Sequence, residues 1–255
     1  MCELLGMSAN IPTDICFSFS GLIQRGGKTG PHKDGWGITF YEGKGCRIFR
    51  DPNPSYDSPI AHFVRTYPIK SQTVISHIRQ ANSGAIALEN THPFIREWQG
   101  KHWTFAHNGQ LKGFKSIPTG HYIPVGTTDS EHAFCGLLHS LNEKYRRKPA
   151  NWPAVFRFIA QYAETIRKKG VFNILLSDGE YLFASCSTNL YFLTRKAPFG
   201  KAVLLDEDLE VDFQKETTSN DVVTIIATQP LTRNEPWEKV QPNQSILFLH
   251  GERIF

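Results

Sequence analysis

The chemistry of this chain starts at Cys2, which stands directly behind Met1. Removal of Met1 would leave a cysteine carrying a thiol and a free α-amine on one residue. The two groups titrate close together, at about 8.5 and about 7.7–8.0. A nucleophile and its proton acceptor would then come from one residue, with no separate histidine needed. Three further segments place polar side chains at the ends of strands or in turns. In Ser76-His77-Ile78-Arg79-Gln80-Ala81-Asn82-Ser83-Gly84 a strand runs into an arginine and small polar residues. A guanidinium there can grip a carboxylate through two parallel hydrogen bonds. Asn108-Gly109 is the dipeptide of tight hairpin turns, and such a turn aims an amide side chain and a backbone N–H at one spot, as an oxyanion requires. Thr128-Asp129-Ser130-Glu131 reads as a capping box, which leaves Asp129 where it could hold an ammonium group. Gly26-Gly27-Lys28-Thr29 looks like the end of a phosphate-binding loop. The required first glycine would fall at Leu22, however, and a helix rather than a strand precedes it, which argues against nucleotide binding.

These residues need elements to position them. A helix is expected over Thr13–Gln24, where Asp14 can cap and Ile15, Phe19 and Leu22 share a face. Ser58-Pro59 opens a second helix running to about Thr66. A third follows Thr128 to near Tyr145, and a fourth runs from Asn151 to Gly170. Strands are expected at Gly37–Tyr41, Thr73–Ile78 and His102–Ala106. Phe172–Leu176 and Tyr181–Ser185 flank Asp178-Gly179 as a hairpin. Leu190–Thr194, Ala202–Leu205, Leu209–Phe213, Val222–Ala227 and Ile246–Leu249 continue as strands. The pattern is α+β. No Pro/Gly/Ser-rich linker divides the chain, so residues 2–255 are read as a single domain.

Composition narrows the classes. With 40% hydrophobic and 20% charged residues, the chain reads as an ordinary globular protein. Lys144, Arg146, Arg147 and Lys148, and again Arg167, Lys168 and Lys169, gather at expected helix ends, where cations suit the helix dipole. No basic and aromatic stripe accompanies them, so no nucleic-acid partner is expected. No apolar run approaches the ~20 residues of a membrane span, and Glu3 stands where a secretory signal would be basic. The five cysteines, Cys2, Cys16, Cys46, Cys135 and Cys186, are scattered and contain no Cys-x-x-Cys. Reduced thiols, no metal site and a cytoplasmic location are expected.

Taken in order, the motifs resemble those of a known family. They are Met1-Cys2-Glu3-Leu4-Leu5-Gly6, His32-Lys33-Asp34-Gly35-Trp36-Gly37, His77-Ile78-Arg79, Asn90-Thr91-His92-Pro93-Phe94, His107-Asn108-Gly109 and Thr128-Asp129-Ser130-Glu131. The chain is similar to the class II glutamine amidotransferases, which are N-terminal-nucleophile hydrolases. Its second half, with Ile226-Ala227-Thr228-Gln229-Pro230-Leu231, resembles their stand-alone YafJ type. The resemblance implies a four-layer αββα sandwich with Cys2 at the start of an inner strand, at the sheet edge. It also implies that Cys2 attacks the side-chain amide of glutamine while its own amine takes the thiol proton. A γ-thioester then forms, and water releases glutamate. Asn108 and Gly109 would stabilise the oxyanion. Arg79 would hold the substrate α-carboxylate and Asp129 its α-ammonium, with Gln80 and Asn82 as further substrate-contacting residues. Gln80, Asn82 and Ser83 replace the tryptophan and Thr-His found in many synthase-linked members. His77 and His92 are given structural roles. No cofactor is implied. A separate ammonia-accepting synthase subunit is an implied partner, since the chain has no room for a synthase domain. Two alternatives stay open: a γ-glutamyl amide or peptide hydrolase using the same Arg79 and Asp129, and a non-catalytic glutamyl-binding regulatory subunit.

Overall fold

The structure, a computed structural model, describes residues 2–81 and 84–255. Its elements in chain order are β1 (Glu3–Thr13), α1 (Cys16–Gln24), β2 (Trp36–Glu42), β3 (Gly45–Asp51), α2 (Pro59–Thr66), β4 (Ser71–Ile78), β5 (Phe94–Trp98), β6 (Lys101–Leu111), α3 (Asp129–Lys144) and α4 (Trp152–Arg167). They continue as β7 (Gly170–Ser177), β8 (Tyr181–Ser185), β9 (Tyr191–Lys196), β10 (Lys201–Val203), β11 (Glu210–Asp212), β12 (Val222–Ala227), β13 (Glu238–Lys239), β14 (Ser245–Leu249) and β15 (Glu252–Arg253). One sheet has the order β13-β9-β12-β1-β4-β2-β3 and a second β15-β14-β8-β7-β6-β5, while β10 and β11 pair separately. The paired strands are antiparallel.

Three separate cores show how the layers stack. Phe19 and Leu22 of α1 and Val64 of α2 pack with Leu5, Met7, Ile38 and Ile225 on one face of the first sheet. Phe134 and Leu138 of α3 and Phe156 and Ile159 of α4 pack with Phe105, Phe172 and Phe183 on the outer face of the second. Between the sheets lie Leu4, Ile75, Ala106, Leu175, Leu182, Ile226 and Phe248. The fold is therefore an αββα sandwich. Strand alternation produces it directly, since neighbouring residues such as Leu4 and Leu5 point to opposite faces and enter different cores. Gly6 keeps the sheets close: a Cβ there would stand 3.1 Å from Leu175 and 3.2 Å from Leu182.

Several sequence expectations are corrected. Asn108-Gly109 is not a hairpin turn. It lies inside β6, in register with Asn173 and Phe172 of β7, so pairing over the full length of β6 overrides the local turn preference. The first helix begins at Cys16 rather than Thr13, because β1 continues to Thr13 and pairs it with Ser71. Cys2 precedes β1, the central strand of its sheet and so the inner strand expected for it. The capping box is half formed. Thr128 Oγ accepts from Glu131 N, but the Glu131 carboxylate accepts from Val125 and Gly126 and pairs with Arg96. The basic clusters do fall where α3 and α4 end. Among the described residues no helix is long and apolar enough to cross a membrane.

Candidate active site

Cys2 sits one residue before β1, where the open end of the sandwich exposes the inter-sheet layer. Its backbone nitrogen donates to Asn108 Oδ1 at 2.9 Å, joining the first sheet to the second. Its Sγ lies between the main-chain groups of Gln80, 3.4 Å from N and 3.5 Å from O. Burial pushes the Cys2 thiol up from its ordinary value, and the Gln80 N–H opposes that shift.

Asn108 is buried and held from three sides. Its backbone carbonyl accepts from Asn173 Nδ2 at 3.0 Å, its Oδ1 receives Cys2 N, and its Nδ2 lies 3.5 Å from Thr228 Oγ. The Thr228 hydroxyl oxygen also accepts from Leu4 N at 2.9 Å. The starts of β1 and β7 and the ends of β6 and β12 thus meet around one amide. Gly109 stands opposite Phe172, whose N–H goes instead to Ser187 Oγ. Hydrogen-bonded and non-bonded pairs alternate in an antiparallel ladder, so 109–172 is a non-bonded pair. β5 reaches along β6 only as far as Phe105. The Gly109 N–H is therefore spent on neither neighbouring strand. A side chain is excluded here, since a Cβ would lie 1.9 Å from Val171 O.

Arg79 is 4% exposed, and its guanidinium donates to Ala85 O at 3.1 Å. The loop that carries it is zipped to the Asp34-Gly35 turn. Arg79 N donates to Gly35 O, Asp34 N donates to Arg79 O, and Ala81 N donates to Asp34 Oδ2 at 2.7 Å. Asp129 opens α3 and accepts from Leu111 N at 2.7 Å and Ser130 N at 2.9 Å. A carboxylate suits this helix N-terminus, and the bond to Leu111 ties it to the end of β6. Cys2, Arg79, Gln80, Gly109 and Asp129 together line one cavity of about 40 Å³. Asn82 lies outside the described residues.

Three buried histidines back the site. His107 Nε2 donates to Val171 O at 3.0 Å, so its Nδ1 accepts from the Ser130 hydroxyl at 2.8 Å. His77 Nε2 donates to His107 O, and its ring lies 4.2 Å from that of His92. Burial pushes His77 down to about 3 and lowers His92 and His107 as well. All three are neutral scaffolding in the neutral pH range. Sequence reasoning passed over Asn173 and gave no role to Asp34 and Ser130, although both stand in the quoted motifs. The visible sign of Asn173 was one amide within the apolar run Phe172–Leu176. Thr228 lay inside a recognised motif, but its bond to Asn108 spans 120 positions and no local pattern encodes it.

The model of the class II glutamine amidotransferases matches residues 1–255. The chain belongs to this family. It is 67% identical over 254 residues to YafJ of Escherichia coli (strain K12), covering the whole of both chains. A crystal structure of a predicted glutamine amidotransferase from Pseudomonas aeruginosa PA01 superposes with a TM-score of 0.81 at 54% identity, again covering the whole of both chains. The glutamine phosphoribosylpyrophosphate amidotransferase from B. subtilis gives a TM-score of 0.63 at 14% identity. That match covers 99% of this chain and 48% of the other, and it shows a shared sandwich. As a class II glutamine amidotransferase, the chain brings cavity-lining residues beside β1 and β4 and within β6 and α3 to the open end of that sandwich.

Proposed function

We propose that this protein hydrolyses the side-chain amide of glutamine through a thioester on Cys2, releasing glutamate and ammonia. The observation that carries the proposal is the 2.9 Å bond from Cys2 N to Asn108 Oδ1, beside a cavity that Arg79 and Asp129 also line. Loss of Met1 turns Cys2 N into an amine held by the same oxygen, next to its own thiol. The amine accepts the thiol proton, Sγ attacks the amide carbon, and the tetrahedral oxyanion takes hydrogen bonds from Asn108 Nδ2 and Gly109 N–H. The proton then passes to the departing ammonia, and water cleaves the thioester to free glutamate and the thiol.

Arg79 receives the α-carboxylate and Asp129 the α-ammonium of the substrate, with Gln80 against the acyl portion. These charges select a free amino acid or a γ-glutamyl group over an ordinary peptide. The decisive experiment is labelling with 6-diazo-5-oxo-norleucine followed by peptide mapping, alongside hydrolysis assays with glutamine and γ-glutamyl peptides. The adduct is expected on Cys2 with glutamine as the better substrate. A label on another cysteine, or a Cys2→Ala variant that keeps full hydrolysis, overturns the proposal. Preference for γ-glutamyl peptides would reassign the substrate.

A further inference from the structure

Arg79 and Asp129 reach the candidate site from different layers. Arg79 follows β4 of the first sheet, whereas Asp129 opens α3, which packs on the second. The carboxylate and ammonium of an α-amino acid hang from one carbon. A guanidinium and a carboxylate that grip both must therefore be held at a fixed separation. Asn90, in the Asn90-Thr91-His92-Pro93-Phe94 motif, supplies the tie between them.

Asn90 is 1% exposed and closes a short turn, its N–H donating to Ala87 O at 3.1 Å. Its side-chain amide reaches in two directions. Nδ2 donates to Ala85 O at 3.1 Å, and Oδ1 accepts from Thr127 N at 2.9 Å. A carbonyl only accepts and a backbone N–H only donates, so these partners fix which end of the amide is oxygen. Ala85 O is the same oxygen that receives the Arg79 guanidinium, also at 3.1 Å. Thr127 leads into Thr128, whose hydroxyl caps α3, and then Asp129. One buried amide thus runs from the carbonyl that anchors Arg79 to the segment that delivers Asp129.

Packing holds that segment against the amide. A Cβ on Gly126 would collide with Asn90 Oδ1 and stand 2.8 Å from Glu89 O, so only glycine permits the approach. From the other side, the Glu131 carboxylate accepts from Val125 N and Gly126 N and pairs with Arg96 of β5. Residues 125–127 are held between Glu131 and Asn90.

We infer that Asn90 is a positioning residue that sets the spacing of Arg79 and Asp129, and with it the selectivity for a free α-amino acid group. This rests on the proposed reading of Arg79 and Asp129 as the grip on the substrate's α-carbon. Asn90 itself does not line the cavity; it acts through Ala85 and Thr127.

Calorimetric binding of L-glutamate to the full chain tests this without turnover. Glutarate, which lacks the ammonium, and 4-aminobutyrate, which lacks the α-carboxylate, are the comparisons. Wild-type protein is expected to bind L-glutamate about tenfold more tightly than either, because both charges are engaged at once. Asn90→Asp keeps an acceptor for Thr127 N but, once ionised, cannot donate to Ala85 O. Asn90→Leu removes both bonds. Each variant is expected to weaken L-glutamate about tenfold and to shrink its advantage over the comparisons, since misplaced charges no longer engage together. In glutamine hydrolysis KM should rise about tenfold while kcat stays within about threefold, the pattern of lost ground-state binding. Thr91→Val, which removes the bond from Thr91 Oγ to Ala87 O in the same turn, controls for lost stability alone. It is expected to lower the melt and leave the preference for L-glutamate unchanged. Should Asn90→Leu fail to fold, Asn90→Asp carries the test. Wild-type affinity and preference in Asn90→Asp, an equal loss of preference in Thr91→Val, or a wild-type protein without the preference overturns the inference. Inactivity toward glutamine alongside Asn90-dependent glutamate binding would refute the proposed reaction and leave the positioning role standing.

Discussion

In the proposed reaction Asn108 has two tasks for one side chain, holding Cys2 N and donating to the oxyanion, and a single substitution separates them. Asn108→Asp keeps an oxygen to accept from Cys2 N but replaces the donor aimed at the oxyanion with negative charge. The expected loss in kcat for glutamine hydrolysis is about 10²–10³-fold, the usual cost of one oxyanion donor. A kcat within threefold of wild type, in a protein with an unchanged melt, would remove Asn108 from the oxyanion role. The Cys2 thiol gives a second test. Its raised pKa lowers the thiolate fraction at a given pH, and thiolate is the reactive form. Protein retaining Met1 is therefore expected to alkylate at Cys2 more slowly than free cysteine at pH 8. Trimmed protein should react faster, because the new terminal amine stands beside the sulfur. Burial raises the other thiols in the same direction, Cys16 and Cys46 to about 12 and Cys135 to about 11, and Cys186 as well, so each thiol is followed separately. Peptide-mass kinetics on the two forms checks the order, and equal rates would argue against coupling between amine and thiol.

At the scale of elements, β6 must pass Gly109 close to the carbonyl of Val171. Gly109→Ala is expected to cost about 1–3 kcal/mol through overpacking, read as a lower urea midpoint at constant m-value. Wild-type stability in this variant would mean that the two strands part easily. Thr128→Ala, which removes the α3 cap that also sets Asp129, is expected to cost about 0.5–2 kcal/mol. The capped helices were readable from their one-sided patterns, and β7 and β8, though buried on both faces, from the Asp-Gly turn between them. β1 was not recognised from pattern, because residues Glu3–Ala9 are all buried and show no alternation. β3 and β5 went unread, and β13 and β15 are two residues each. At the site, Cys2, Arg79, Gln80 and Asp129 were each marked by residue type at an element boundary, whereas Gly109 was marked by a turn dipeptide that lies inside β6; all five line one cavity. Their supports Thr228 and Asn173 were not read, because only the packing of two sheets brings them to Asn108.

Over the whole molecule, the open end of the sandwich is assembled from both halves of the chain: β1, β4 and β6 from the first, β7 and β12 from the second. The polar layer there is costly to bury. His77 Nδ1 and both ring nitrogens of His92 are buried without a hydrogen-bond partner among the described residues. Burial keeps these rings neutral, and the consequence appears in stability against pH. His77 titrates near 3 in the native state and near its ordinary ~6.5 in the unfolded chain. Between those values the unfolded state binds a proton that the native state does not, so stability is complete above pH 6.5 and falls as pH drops toward 3. His92 and His107 are displaced in the same direction and steepen the fall. Each histidine fully in this regime contributes about 1.4 kcal/mol per pH unit. Urea unfolding at intervals from pH 7 to pH 5 is expected to show this decline. His92→Leu should flatten it by up to one proton while leaving stability at pH 7 equal or higher, because it removes two unsatisfied nitrogens from an apolar contact. An unchanged slope in that variant would mean that His92 takes up a proton in the folded protein, and the neutral histidine layer behind Cys2 would have to be abandoned.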